Sequence, residues 1–142
     1  MKKKIIFGVA TVILATVMVV VVLVLLDPLR SSPQRIRAAM LKHTPIGMSM
    51  EEVIGVIENN DTWEIDATRE NGYIMRGRRP YPDIDFRFVN GNTIIGVKSM
   101  RVYIGSYNFF FFAGRTTVYA YYGFDEDSKL VDIAVGKRAI HI

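Results

Sequence analysis

Two histidines, His43 and His141, are the side chains best suited to bind a metal or pass a proton near neutral pH, and they stand 98 positions apart. No carboxylate pattern accompanies either one, so neither a metal centre nor any cofactor is expected. The serines lack the GxSxG context of an activated nucleophile, and no phosphate-cradling or dinucleotide-binding glycine motif occurs. Asp125, Glu126 and Asp127 crowd three carboxylates into one turn, which raises calcium. A calcium loop of the helix-loop-helix type needs glycine at its sixth position, and Leu130 stands there, so a solvated turn is the better reading. Asp83 and Asp85 flank Ile84 in an alternating stretch and so point the same way, with nothing to set their environments apart for acid–base work. With no cysteine in the chain, disulfide, thiolate and zinc-thiolate chemistry are excluded. Nothing in these residues points to an enzyme.

Other residues have the chemistry of recognition. Arg76, Arg78 and Arg79 lie beside Tyr81 in RGRRPYPD, where Pro80 and Pro82 imply a surface loop able to meet an acidic partner or anionic lipid headgroups. Phe109 to Phe112 are four consecutive phenylalanines, and in a strand they place two rings on each face. Either both faces are covered or some rings are exposed for a partner. Tyr119, Tyr121 and Tyr122 add aromatic surface nearby, and tyrosine is enriched where proteins meet. The candidate contact residues are therefore Phe110, Phe112, Tyr119, Tyr121, Arg76, Arg78 and Arg79.

These residues need elements to position them. The 142 residues suffice for one domain and one further segment. The net charge of +4 comes mostly from Lys2, Lys3 and Lys4; without them 15 basic residues face 14 acidic ones. A nearly neutral body of this kind lacks the footprint of a nucleic-acid binder. Ile5 to Leu26 is an uncharged run of 22 residues, long enough as a helix of about 33 Å for an uncleaved transmembrane anchor. It ends without the small-residue cleavage site of a secretory signal. The expected organisation is a basic cytoplasmic tail at residues 1–4, a transmembrane anchor at 5–26, a linker at 27–33 and an extracytoplasmic domain at 34–142. A short basic start favours a single-pass cell-membrane protein with its carboxyl-terminal domain outside, although Arg30, Arg35, Arg37 and Lys42 behind the run nearly balance the charge rule.

Within the domain, Ser31 or Ser32 can cap a helix with Pro33 in its first turn, and Ile36, Ala39, Met40 and His43 fall on one face. Ser49 and Glu52 form the pattern of a capping box, with Met48 placed to staple onto Val53; Val53, Ile54, Val56 and Ile57 make the apolar stripe, and Asn59 and Asn60 can end it in the left-handed conformation. The period then changes to two. Trp63, Ile65 and Ala67 alternate with polar residues, and Asn71 with Gly72 suggests a hairpin into Tyr73, Ile74 and Met75. Ile84, Phe86 and Phe88 alternate before a turn at Asn90 and Gly91; Val97 to Ile104 gives another strand; TTVYAYYGF and LVDIAVGK flank the turn from Asp125 to Lys129. The expected class is α+β: an amino-terminal transmembrane helix, then two short helices packed on a three- to four-stranded antiparallel sheet.

GMSMEEVIGVIE and TTVYAYYGFDEDSKLVDIAVGK together resemble the SmpA/OmlA (BamE-like) domain, across roughly residues 37–137. The resemblance implies two helices, an antiparallel sheet ending in a hairpin with an acidic turn, and work done by binding other proteins. It extends to the related fold of β-lactamase inhibitory proteins, which dock a sheet face onto an enzyme. The family's outer-membrane members carry a lipidated cysteine absent here, and Asn59 and Asn60 replace the usual helix-ending glycine. The functional expectation is a non-catalytic, membrane-anchored protein-binding module of the cell envelope. The alternative is an inhibitor or immunity-type protein that blocks an extracellular enzyme.

Overall fold

The computed structural model describes residues 2–77, 79–81, 92–108 and 114–140, with the backbone alone at 2–10, 24, 25, 79 and 81. The strand expected at Ile84 to Phe88, the turn at Asn90 and Gly91, the pair Asp83 and Asp85, the Phe109 to Phe112 run and His141 lie outside the described residues. Two compact units make up the chain, residues 1–31 and 32–142.

The first unit is the helix α1 (Lys2–Leu25) followed by one 3-10 turn at Pro28–Arg30. Asp27 starts that turn by accepting from the Leu29 amide at 2.9 Å through its carboxylate. The expected transmembrane anchor, and with it the single-pass cell-membrane placement with an outside domain, is corrected here. Among the described residues, no helix is long and apolar enough to cross a membrane.

The second unit is α+β. Helix α2 (Pro33–His43) opens on Ser32, whose hydroxyl accepts from the Arg35 amide at 3.3 Å, with Pro33 at the first helical position where its missing N–H costs nothing. Ile36 and Met40 are its buried face; Ala39 and His43 are exposed, so the stripe is narrower than the three-and-four spacing suggests. Helix α3 (Met50–Glu58) has the complete capping box: the Glu52 amide donates to the Ser49 hydroxyl at 3.3 Å, and the Ser49 amide donates back to the Glu52 carboxylate at 2.8 Å. It does not end in a left-handed residue. Asn59 keeps φ −81° and caps the last turn by donating its side-chain amide to the Gly55 carbonyl at 2.8 Å.

Among the described residues seven strands follow in two sheets: β1 (Glu64–Arg69), β2 (Tyr73–Arg76), β3 (Arg79–Tyr81), β4 (Thr93–Ile95), β5 (Lys98–Asn108), β6 (Arg115–Phe124) and β7 (Leu130–Ile140). The main sheet has the order β1-β5-β6-β7 and the smaller sheet β3-β2-β4, with every pairing antiparallel. Asn71 and Gly72 therefore do not turn β1 back on itself. Gly72 instead lies so close to the carbonyls of Ile95 and Gly96 that a Cβ would overlap both, and the chain leaves the main sheet to pair with β4.

Alternation along β6 shows why two layers are needed. Val118, Ala120, Tyr122 and Phe124 point to one face and Tyr119, Tyr121 and Gly123 to the other, and all of them except Tyr119 are buried. The even-numbered side lies under the helices, where the Tyr122 hydroxyl is 3.5 Å from that of Thr44 at the end of α2. On the odd side the smaller sheet is packed, its Tyr73 ring 6.0 Å from that of Tyr121 and its Ile95 methyl against Gly123. The result is helix layer, main sheet, small sheet.

Candidate partner-binding face

The odd side of β6 and the residues level with it on β5 and β7 form the outer face of the main sheet. Register places Gly123 beside Ser99 and Asp132, Tyr121 beside Arg101 and Ala134, Tyr119 beside Tyr103 and Gly136, and Thr117 beside Ser106 and Arg138. The small sheet covers the near half of this face. Tyr121 is only 8% exposed, in a cluster with Tyr73 and Ala134, and Pro80 of β3 rests over Gly136. Tyr119 marks the boundary of that cluster: it is half-buried and packs against it, and Thr117, next along the same face, is again buried.

Beyond the boundary the side chains order one another. The Tyr103 and Tyr119 rings meet edge to face at 6.0 Å, and the Arg101 guanidinium stands over the Tyr119 ring at 5.3 Å. Arg101 also donates to the Asp66 carboxylate of β1. Partial burial works against its charge, but the hydrogen bond and the charge of Asp66 outweigh that and raise its pKa. The Tyr103 hydroxyl donates to Ser106 at 3.2 Å, and Arg115 donates to the same oxygen at 2.7 Å. Burial raises the Tyr121 pKa, with the Arg101 charge and hydrogen bond pulling the other way. A shallow dimple lined by Ala67, Arg69, Ser99, Met100, Arg101 and Tyr121 adjoins the row.

The contact residues expected from sequence divide accordingly. Tyr119 belongs to this face, whereas Tyr121 lies mostly beneath the small sheet. Arg76 and Arg79 are not in a loop: they are paired at the end of the β2–β3 hairpin, which Gly77 turns at φ +61°. Arg76 is exposed. Phe110, Phe112 and Arg78 lie outside the described residues. Arg101, Tyr103, Arg115 and Arg138 were missed. Their signal was present in β5, where Arg101 and Tyr103 alternate with buried Met100 and Val102 and must share the face opposite to them.

Chemically this face offers aromatic surface, guanidinium groups and hydroxyls. Among the described residues, no group of three or more histidine, aspartate or glutamate side chains is placed to hold a metal. Compared with protein-family models, with curated proteins and with solved structures, the chain matches none.

Proposed function

We propose that this protein is a non-catalytic binding module that takes a protein partner on its main sheet's outer face, at the partly exposed row of Tyr103, Tyr119 and Arg101. The observation that carries this reading is the Tyr103–Tyr119–Arg101 cluster. Its rings and guanidinium are held rigid by Asp66 and Ser106 yet remain partly open to solvent. Tyrosine and arginine set in a supported patch are the residue types that dominate binding energy at protein interfaces, because they bring large contact area at small cost in rotamer freedom. The small sheet supports the reading in a second way. It buries the neighbouring Tyr121 and packs against Tyr119, which stays only half-buried at its margin. Binding other proteins is also what the SmpA/OmlA resemblance implies.

A photo-activatable phenylalanine analogue placed at Tyr119 in the full chain, and separately at exposed Glu51 on α3, tests the proposal in the native cell. Specific crosslinks from position 119 that are absent from position 51 are expected. Equal labelling from both positions, or none from 119, would remove the proposal.

A further inference from the structure

The geometry points to a second copy of this chain as the partner of the outer edge of β1, paired antiparallel across a two-fold axis. β1 ends the main sheet, with β5 on one side, and among the described residues no strand lies on the other. That edge is open: Glu64, Asp66, Thr68 and Arg69 are exposed, and Ile65 and Ala67 are half-buried. An open edge offers backbone N–H and C=O groups to a further strand. The register with β5 passes over Asp66, so that Glu64 stands beside Tyr103, Ile65 beside Val102, Ala67 beside Arg101, Thr68 beside Met100 and Arg69 beside Ser99. Tyr103, Arg101 and Ser99 belong to the outer face, whereas Val102 and Met100 are buried on the helix side. The bulge therefore brings Glu64 and Arg69 onto the same face, where their odd spacing in a regular strand would set them on opposite ones.

Paired strands set outer residues against outer ones and inner against inner. For two antiparallel copies of β1, the register that does so along the whole strand places Glu64 against the second copy's Arg69, Ile65 against its Thr68, and the two bulges opposite each other at the axis. The symmetry repeats the Glu–Arg pair at both ends of the seam. Arg69 has contacts within its own chain, and a guanidinium carries donors enough for a further carboxylate. At the axis the two Asp66 carboxylates approach, but each is held by the Arg101 of its own chain, which offsets their repulsion. Charges and a bulge ordinarily keep a sheet edge from pairing. Here they select the partner: parallel pairing in register sets like charges opposite each other, and an unrelated strand lacks the matching kink. Joined in this way, the two four-stranded sheets become one continuous antiparallel sheet with both rows of Tyr103, Tyr119 and Arg101 on the same side.

Sedimentation equilibrium of the full chain is expected to show a weak, concentration-dependent dimer, because a ladder of six residues is a small interface. Glu64→Arg and Arg69→Glu should each weaken it about tenfold with unchanged thermal melts, since either reversal sets like charges against each other at both ends of the seam. An equal mixture of the two variants should dimerise as wild type does, because one chain of each kind restores opposite charges at both ends, a recovery that a fold defect in either variant would not produce. A chain that stays monomeric at the highest concentration it reaches would overturn the proposal. Association unchanged by both reversals would overturn it in favour of another surface, such as the exposed apolar side chains of α1. Loss in both variants with no recovery on mixing would overturn the antiparallel register and the proposal with it.

Discussion

Arg37 of α2 and Asp132 of β7 hold each other around the edge of the main sheet. One guanidinium nitrogen donates to the Asp132 carboxylate at 2.6 Å and another to the Ile133 carbonyl at 2.6 Å. The second carboxylate oxygen of Asp132 lies 3.5 Å from the hydroxyl of Tyr73, which is fully buried under the small sheet. One aspartate thus touches an element from each of the three layers. Arg37 and Asp132 are both partly exposed, so Arg37→Met is expected to cost only about 1 kcal/mol. Tyr73→Phe should cost no more than that, because its hydrogen bond is long. Tyr73→Ala should cost about 3–5 kcal/mol by opening a cavity between the sheets. Urea denaturation of the three variants gives the order.

Glycines 55 and 72 should respond to alanine in opposite directions. A Cβ at Gly55, inside α3, meets nothing within 4 Å, so Gly55→Ala should stabilise by about 1 kcal/mol through helix propensity alone. A Cβ at Gly72 would run into backbone carbonyls that cannot yield, and Gly72→Ala should destabilise by roughly 3 kcal/mol or more. Thermal melts of the two variants should move apart from wild type on either side.

Loss of the α3 cap isolates the capping box. Ser49→Ala removes the acceptor of the Glu52 amide and one donor to its carboxylate. A loss of about 1 kcal/mol is expected, with Ser49→Asp retaining most of the stability, since aspartate caps equally well. Chemical denaturation midpoints would show the difference.

Alkaline pH should weaken the fold through Tyr122. Burial against the helices pushes its pKa up from 10.0 to about 12, with the Thr44 hydroxyl pulling slightly the other way. The folded state therefore holds the phenolic proton more tightly than the unfolded chain does. This contribution is fully present below about pH 10 and is lost as pH rises through about 12, roughly 2–3 kcal/mol in total. Tyr73 shifts in the same direction, driven first by burial and then by the charge of Asp132. In Tyr122→Phe the fall in stability between these pH values should be shallower than in wild type, as followed by tyrosinate absorbance and circular dichroism together.

Local signals were legible where the physics is local. The Ser32 and Ser49 caps, Pro33, and the β6–β7 hairpin with its acidic turn follow from hydrogen-bonding side chains a few residues from their targets. In that turn Asp125 accepts from the Lys129 amide at 2.8 Å while Ser128 takes φ +58°, so its carboxylate shapes backbone. The departure at Asn71–Gly72 was not legible, because an Asn-Gly pair after an alternating strand reads as a hairpin and only the distant approach of Ile95 and Gly96 decides otherwise. Nor was the burial of Tyr121 legible. Alternation assigns it a face but does not reveal that a second sheet covers that face. The membrane reading of residues 5–26 failed for a related reason: it rested on composition along the run, and no described helix is long and apolar enough to cross a membrane.

Ser99 pairs directly with Arg69, and its hydroxyl donates to the Asn71 carbonyl at 2.6 Å. The chain thus leaves the main sheet and returns to it at almost the same point. Without that excursion the strands β1, β5, β6 and β7 would follow one another as a plain four-stranded meander, each beside its neighbour in sequence. The small sheet is in this sense a cassette spliced into one turn of a simpler architecture. Its length and composition can change without altering the strand order beneath it, and how far it reaches along the face sets how much of the tyrosine row is left uncovered.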